Sequence, residues 1–217
     1  GRGRSGTVDS FVVDNSVQKV EAIPLAVDEL RALLSPPEQE LFDLINFIRA
    51  DPAAFANRLE LEILPIIGDD AIMRFPGAKT VIQTKEGKAV VEEAIAELRE
   101  LDKNEEKLNP LSIAHGILLG TQDHVGDQWL DQNGFTGHNG SDGSNSRSRS
   151  ERYGVWKHSI GESLCYGETS AFRIAAKWII DDGMENRTNR KNILSPESKY
   201  LGLALGAHRG QGNCTVL

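Results

Sequence analysis

The sequence predicts an α+β sandwich in which a few short, mostly antiparallel strands are flanked by helices. Three observations carry this prediction. The run Ser35-Pro36-Pro37-Glu38 is a capping box with proline at the first helical position, and apolar residues follow it at helical spacing. Two further amphipathic stripes occupy the stretch up to Gly134. Beyond Ile160 the pattern turns to short apolar runs bounded by glycines, which read as strands around a single helix.

Taken in order, Gly1 to Pro24 has little periodicity and reads as an extended leader, and Gly1 to Ser10 is polar with no apolar h-region of the secretory type. Val27 to Leu34 reads as a short helix, and residues 1–34 together as an N-terminal extension. Leu41, Leu44, Ile45 and Ile48 form one face of the first main helix, and Asp51-Pro52 opens a second that carries Phe55 and Leu59. Prolines and glycines make Ile63 to Lys85 a long ordered loop. Thr84 then reads as the cap of a helix with Val91, Ala94, Ile95, Leu98 and Leu101 as its buried stripe. Asn109-Pro110 starts the next helix, with Leu111, Ala114, Leu118, Val125 and Trp129 inward and Gly134 just past its end. The Gly-, Ser-, Asn- and Arg-rich stretch Thr136 to Arg152 reads as a structured loop that turns at Asp142-Gly143 into a short helix. Ile160 to Tyr166 is a strand, Ser170 to Asp182 a helix, Tyr200 to Leu205 a strand buried on both faces, and Cys214 to Leu217 the last strand.

With 217 residues, 39% of them apolar, the chain can bury a core without help from metal or disulfides. A net charge of -8 argues against a nucleic-acid partner. No apolar run approaches the ~20 residues of a membrane-spanning helix. Cys165 and Cys214 are compatible with two buried thiols or with one disulfide. Their positions, one in the Ile160 to Tyr166 strand and one at the start of the last strand, predict neighbours on adjacent strands.

Several runs in the second half occur in a recognisable order. They are Asp123-His124-Val125-Gly126-Asp127, Gly137-His138-Asn139-Gly140-Ser141-Asp142-Gly143-Ser144, Ser150-Glu151-Arg152-Tyr153-Gly154 and Gly161-Glu162-Ser163-Leu164. Trp178 to Asp182, Arg190-Lys191-Asn192-Ile193-Leu194 and Tyr200-Leu201-Gly202 follow. This order resembles the microbial branch of the CAP superfamily, which groups cysteine-rich secretory proteins, antigen 5 and pathogenesis-related proteins. The resemblance spans roughly Pro36 to the C-terminus. It implies one CAP-type α/β/α domain over residues 35–217, with a helical insertion at about 61–106 relative to short members.

The resemblance also implies a cleft lined by two histidines and two acids. Carried over by position, these are His138, Glu162, Asp181 and, where the second histidine is expected, Asn189. His138 and Glu162 are the candidate catalytic pair, with Glu162 as general base, and are expected within reach of one ion or water. His138, Glu162 and Asp181 are the candidate metal ligands. Without the second imidazole such an oxygen-rich set suits Ca²⁺ or Mg²⁺, or a weakly held Zn²⁺.

Each residue also has a plainer reading. A histidine in a glycine-rich loop often only bonds backbone, a glutamate before a strand often only satisfies buried N–H groups, and Asp181 beside Asp182 can be a polar helix end. His124 reads as packed and hydrogen-bonded. His115, His158 and His208 read as surface or loop residues, and Arg187, Arg190 and Lys191 as a solvated basic loop. The serines of Ser141 to Ser150 lack a nucleophile-elbow motif. The resemblance, to a superfamily whose members are mostly secreted, implies an extracellular or otherwise extracytoplasmic binding or interaction module for a small ligand, lipid or protein. A metal-assisted or acid/base hydrolase is the first alternative and a lipid or sterol binder the second.

Overall fold

The computed structural model describes residues 27–77, 81–103, 108–131, 134–155 and 159–217. The expected leader and His158 lie outside them. The order is α1 (Val27–Arg31), α2 (Pro36–Ala50), α3 (Pro52–Arg58), β1 (Ile72–Met73), β2 (Ile82–Gln83), α4 (Lys88–Lys103), β3 (Ser112–Ile113), α5 (His115–Leu130), α6 (Ser146–Glu151), β4 (Leu164–Tyr166), α7 (Ala171–Ile180), α8 (Thr188–Leu194), β5 (Tyr200–Leu201), β6 (Ala204–His208) and β7 (Gly212–Val216). This is the expected α+β arrangement, with one main antiparallel sheet, β4-β7-β6, flanked by helices.

The register of that sheet sorts its side chains onto two faces. Leu164, Val216 and Ala204 stand in line, as do Tyr166, Cys214 and Gly206. These positions look toward α5, where Val125 packs on Ala204, Cys214 and Val216. The alternate positions, Cys165, Thr215 and Leu205, look the other way into the larger core built by α2, α4 and α7. The core stripe of α2 is the one expected, with Leu41, Ile45 and Ile48 fully buried. Trp178 seats α7 on the sheet by donating its indole N–H to Leu164 O at 3.1 Å.

The two cysteines are therefore on adjacent strands, as expected, but they project from opposite faces of the sheet. Both are free thiols in the structure. Burial pushes the Cys165 thiol up to about 11 and the Cys214 thiol up to about 12, which makes both poor nucleophiles. Titration with a thiol reagent after unfolding without reductant is expected to find both cysteines free. A single mass consistent with an intramolecular bridge would contradict this register.

Several boundaries differ from the sequence reading. The helix expected from Asn109-Pro110 starts only at His115, because Ser112 and Ile113 pair in parallel with Tyr200 and Leu201. Trp129, expected inward, is 46% exposed on the last turn of that helix. The strand expected over Tyr200 to Leu205 breaks at Gly202. A Cβ there would come within 2.4 Å of the α5 backbone at Ile117 and Leu118, so only glycine lets the helix cross so closely. The long loop contains the β1–β2 hairpin. Thr84 is not the cap of α4 and instead donates to Ala71 O, tying that hairpin to its turn.

The basic cluster expected to be a solvated loop does structural work. Arg190 is fully buried, donates to Ile179 O and Ile180 O, and pairs with Glu93 and Glu97 of α4. Arg187 pairs with Glu86 and Glu93, which holds both carboxyls at about 2. Of the three, only Lys191 is exposed. His208, expected as a surface or loop residue, is instead a buried residue of β6. Its Nε2 bonds Phe135 O, and its Nδ1 accepts from the N–H groups of Gly210 and Gln211.

Candidate functional site

The segment between α5 and α6 is a loop tied down on every side. Asp127 of α5 accepts from Ser141 N at 2.7 Å and from the Ser141 hydroxyl at 2.5 Å. Gly137 N donates to the Tyr166 hydroxyl, which in turn donates to Gln128 Oε1, both at 2.9 Å. His124, fully buried and one turn before Gln128, bonds Gly137 O through Nε2 at 2.9 Å. Burial first, and the nearby Arg149 charge second, lower the pKa of His124 and keep it neutral. That is the packed, hydrogen-bonded role expected of it. Asn145 and Ser148 then form a reciprocal cap that starts α6.

The cap matters because α6 carries Arg149, which is 2% exposed. Its Nη1 donates to His138 O and Ser144 O, each at 3.1 Å, and its Nη2 meets Glu162 Oε2 at 2.5 Å. The other Glu162 oxygen lies 2.8 Å from His138 Nδ1. One carboxylate is thus held between an exposed imidazole, 61% accessible, and a buried guanidinium. Burial alone would raise the Glu162 pKa, but the His138 hydrogen bond and the Arg149 charge outweigh it and hold the carboxyl below its ordinary range.

Gly161 explains why a glycine precedes that glutamate. A Cβ at this position would sit 2.3 Å from Asn192 Oδ1. Asn192 of α8 packs against the strand entry there, donating to Glu162 O at 3.3 Å and to the Ser163 hydroxyl at 3.1 Å. The Glu162 carboxylate is bonded to the side chains of His138 and Arg149 and not, as the plainer reading of it expects, to backbone N–H groups.

Asp181 and Asn189 form a second pair. Asp181 ends α7 in the left-handed conformation, with φ +57°. Its carboxylate accepts from Asn189 N at 2.8 Å and from Asn189 Nδ2 at 2.7 Å, so both oxygens are occupied at the first turn of α8. The dipole conflict expected of an acid ending α7 is thus relieved by the opposite dipole of α8. The asparagine acts here as a hydrogen-bond donor to the acid.

The candidate residues thus meet two by two, His138 with Glu162 and Asp181 with Asn189. Among the described residues no three His, Cys, Asp or Glu side chains are grouped as ligands, His138, Glu162 and Asp181 included. The donor chemistry fits a divalent cation poorly, since Arg149 occupies one Glu162 oxygen and Asn189 both oxygens of Asp181. Arg149 escaped the sequence reading. It lies in a run of alternating serine and arginine, and nothing in Arg147, Arg149 and Arg152 marks which one turns inward.

A central antiparallel sheet flanked by helices, with a His–Glu pair beside a tied glycine-rich loop, defines an α+β module. The family model for the cysteine-rich secretory protein family, CAP, matches residues 92–217, more than half of the chain. The chain belongs to that family. No curated protein and no solved structure matches it. No helix among the described residues is long and apolar enough to cross a membrane.

Proposed function

We propose that the chain is an extracytoplasmic CAP-family binding or interaction module rather than a hydrolase, and that residues 35–217 form its domain with 61–106 as an insertion. The state of Glu162 carries this reading. A general base working near neutral pH needs a carboxyl whose pKa is raised and whose lone pairs can reach substrate. Glu162 has the opposite properties, with a lowered pKa and each oxygen bonded, one to His138 and one to Arg149. Ser141 is bonded to Asp127 and Ser148 to the Asn145 cap, so neither has a base partner of the nucleophile–histidine kind. Arg190, the other cation near the motif, is buried among carboxylates and backbone carbonyls and is out of reach of an oxyanion. His138 is the group that a ligand would meet, since its ring is exposed and Nδ1 is held by Glu162.

Peptidase and esterase assays on generic substrates, run with and without added Ca²⁺, Mg²⁺ and Zn²⁺, are expected to show no turnover above background. Turnover that disappears in folded Glu162→Gln protein would replace this reading with the hydrolase.

A further inference from the structure

Two buried histidines hold the stretch of chain that leads into His138. His124 of α5 is fully buried and His208 of β6 is 2% exposed. Each bonds a carbonyl of that stretch through Nε2, His208 at Phe135 O and His124 at Gly137 O, both at 2.9 Å. A carbonyl only accepts, so both rings carry their proton on Nε2 and leave Nδ1 bare. Gly137 is gripped from its other side as well, its N–H donating to the Tyr166 hydroxyl at 2.9 Å.

Neither Nδ1 has a place for a second proton. At His208 it accepts from Gly210 N and Gln211 N, each at 3.1 Å, so an added proton would face two donors. At His124 it is buried with no hydrogen-bond partner among the described residues, so an added proton would bring a buried charge without an acceptor. Arg149 of α6 repels a second cation there. Glu162, at the entry to β4, and Asp127 of α5 attract one, but Glu162 is committed to Arg149 and His138, and Asp127 to Ser141. Tyr166 of β4 and Cys214 of β7, on the sheet face toward α5, are neutral, each pushed up to about 12 by burial. Three groups stand about His208. Tyr166 meets it edge-on at 5.3 Å between ring centroids, Arg209 lies over the Trp129 ring, and Asp131 accepts from Phe135 N.

We infer that His124 and His208 form an acid-sensitive latch that holds the His138 loop closed at neutral pH and releases it in acid. In the open form both rings reach water and take the second proton freely, so falling pH favours opening. An open-state imidazole titrates at ~6.5, and burial holds His124 below its ordinary value in the closed form. Closure is therefore complete above about pH 6.5 and weakens as pH falls beneath it. The latch rests on the proposed function in giving the ligand-facing His138 a pH control. Loop opening itself is measured without any ligand, so the latch and that reading fail separately.

Hydrogen exchange by mass spectrometry on the full chain, corrected for the intrinsic pH dependence of exchange, measures opening of residues 135–145 at pH 7.5 and 5.0. The opening constant is expected to rise at least about tenfold in acid, while that of α2 changes by less than about twofold. His124→Gln and His208→Gln each keep a side-chain N–H for the carbonyl but cannot titrate. The double variant is expected to cut the rise below about twofold. Ring-nitrogen NMR on the parent chain, which needs no variant to fold, is expected to show both histidines neutral and protonated on Nε2 at pH 7.5. A rise below about twofold in the parent overturns the proposal. So does a rise that survives in the folded double variant, or one that vanishes in His138→Gln instead. Either ring protonated on Nδ1 at pH 7.5, or an imidazolium at His124 while loop exchange stays unchanged, overturns it as well.

Discussion

Replacing Arg149 with methionine is expected to cost the fold about 3–5 kcal/mol, because it strands the Glu162 carboxylate without its buried partner. The side chains are 2% and 7% exposed, so water cannot take over the lost contact at either group. The same change frees His138 O and Ser144 O, which share the guanidinium, and so loosens the loop that presents His138. In urea unfolding the midpoint of Arg149→Met should fall by roughly 1–2 M. Adding Glu162→Gln to it should recover much of the loss, since the uncompensated charge goes with the carboxylate. The pH dependence has a definite sign. Glu162 has a folded pKa below its unfolded value of ~4.3, so its contribution is present above that value and is lost as pH falls through the folded pKa. The gap between parent and Arg149→Met should thus be widest near neutral pH and narrow in acid. A gap of less than about 1 kcal/mol at neutral pH would show that the pair does not hold the loop.

The second large effect is expected at Arg49, a buried cation of α2 whose hydrogen bonds all go to backbone carbonyls. It is 1% exposed and donates to the oxygens of Asn109, Ile193, Ser195 and Ser198. Burial lowers its pKa. The oxygens of Ile193 and Ser195 lie at the C-terminal end of α8, where a cation meets the negative end of the helix dipole. Arg49 therefore does from a distant helix what a local C-cap does elsewhere. Arg49→Met keeps the apolar stem and removes these hydrogen bonds, for an expected loss of about 3 kcal/mol or more. Arg49→Lys should recover only a minor part, since one ammonium cannot span carbonyls that the planar fork reaches in different directions. Urea unfolding of both variants measures this. Stability within about 0.5 kcal/mol of the parent for Arg49→Met would mean that water satisfies the carbonyls instead.

Arg149 and Arg49 show where sequence reading stops. Both are arginines in helices, and one charge looks like another in a sequence. Whether an arginine faces water or backbone carbonyls depends on residues 60 and 144 positions away, as with Arg49 and its partners Asn109 and Ile193. The same reason applies to Arg187 and Arg190, whose partners Glu93 and Glu97 lie on α4 and Glu86 in the turn before it. The late start of α5 has a related cause. Asn109-Pro110 is a sound local start signal, but Ser112 and Ile113 gain more by pairing with Tyr200 and Leu201.

The features legible from the chain alone were those governed by neighbours in sequence. The capping box at Ser35, the α2 stripe, the α7 helix with its end before Gly183 and the last strand around Cys214 depend on spacing of a few residues. So did the ordered series of motifs that placed the chain in its family. The tertiary structure alone decided that Cys165 and Cys214 leave the sheet on opposite faces, since a period of two along each strand acts only after register is set. It alone decided that Asp181 is taken by Asn189, and that Glu162 is a clamped carboxylate instead of a free base. A carboxylate's chemistry is set by the charges and donors within a few ångströms of it. Folding brings Arg149 and His138 to Glu162 from 13 and 24 residues away, and no local pattern encodes that meeting.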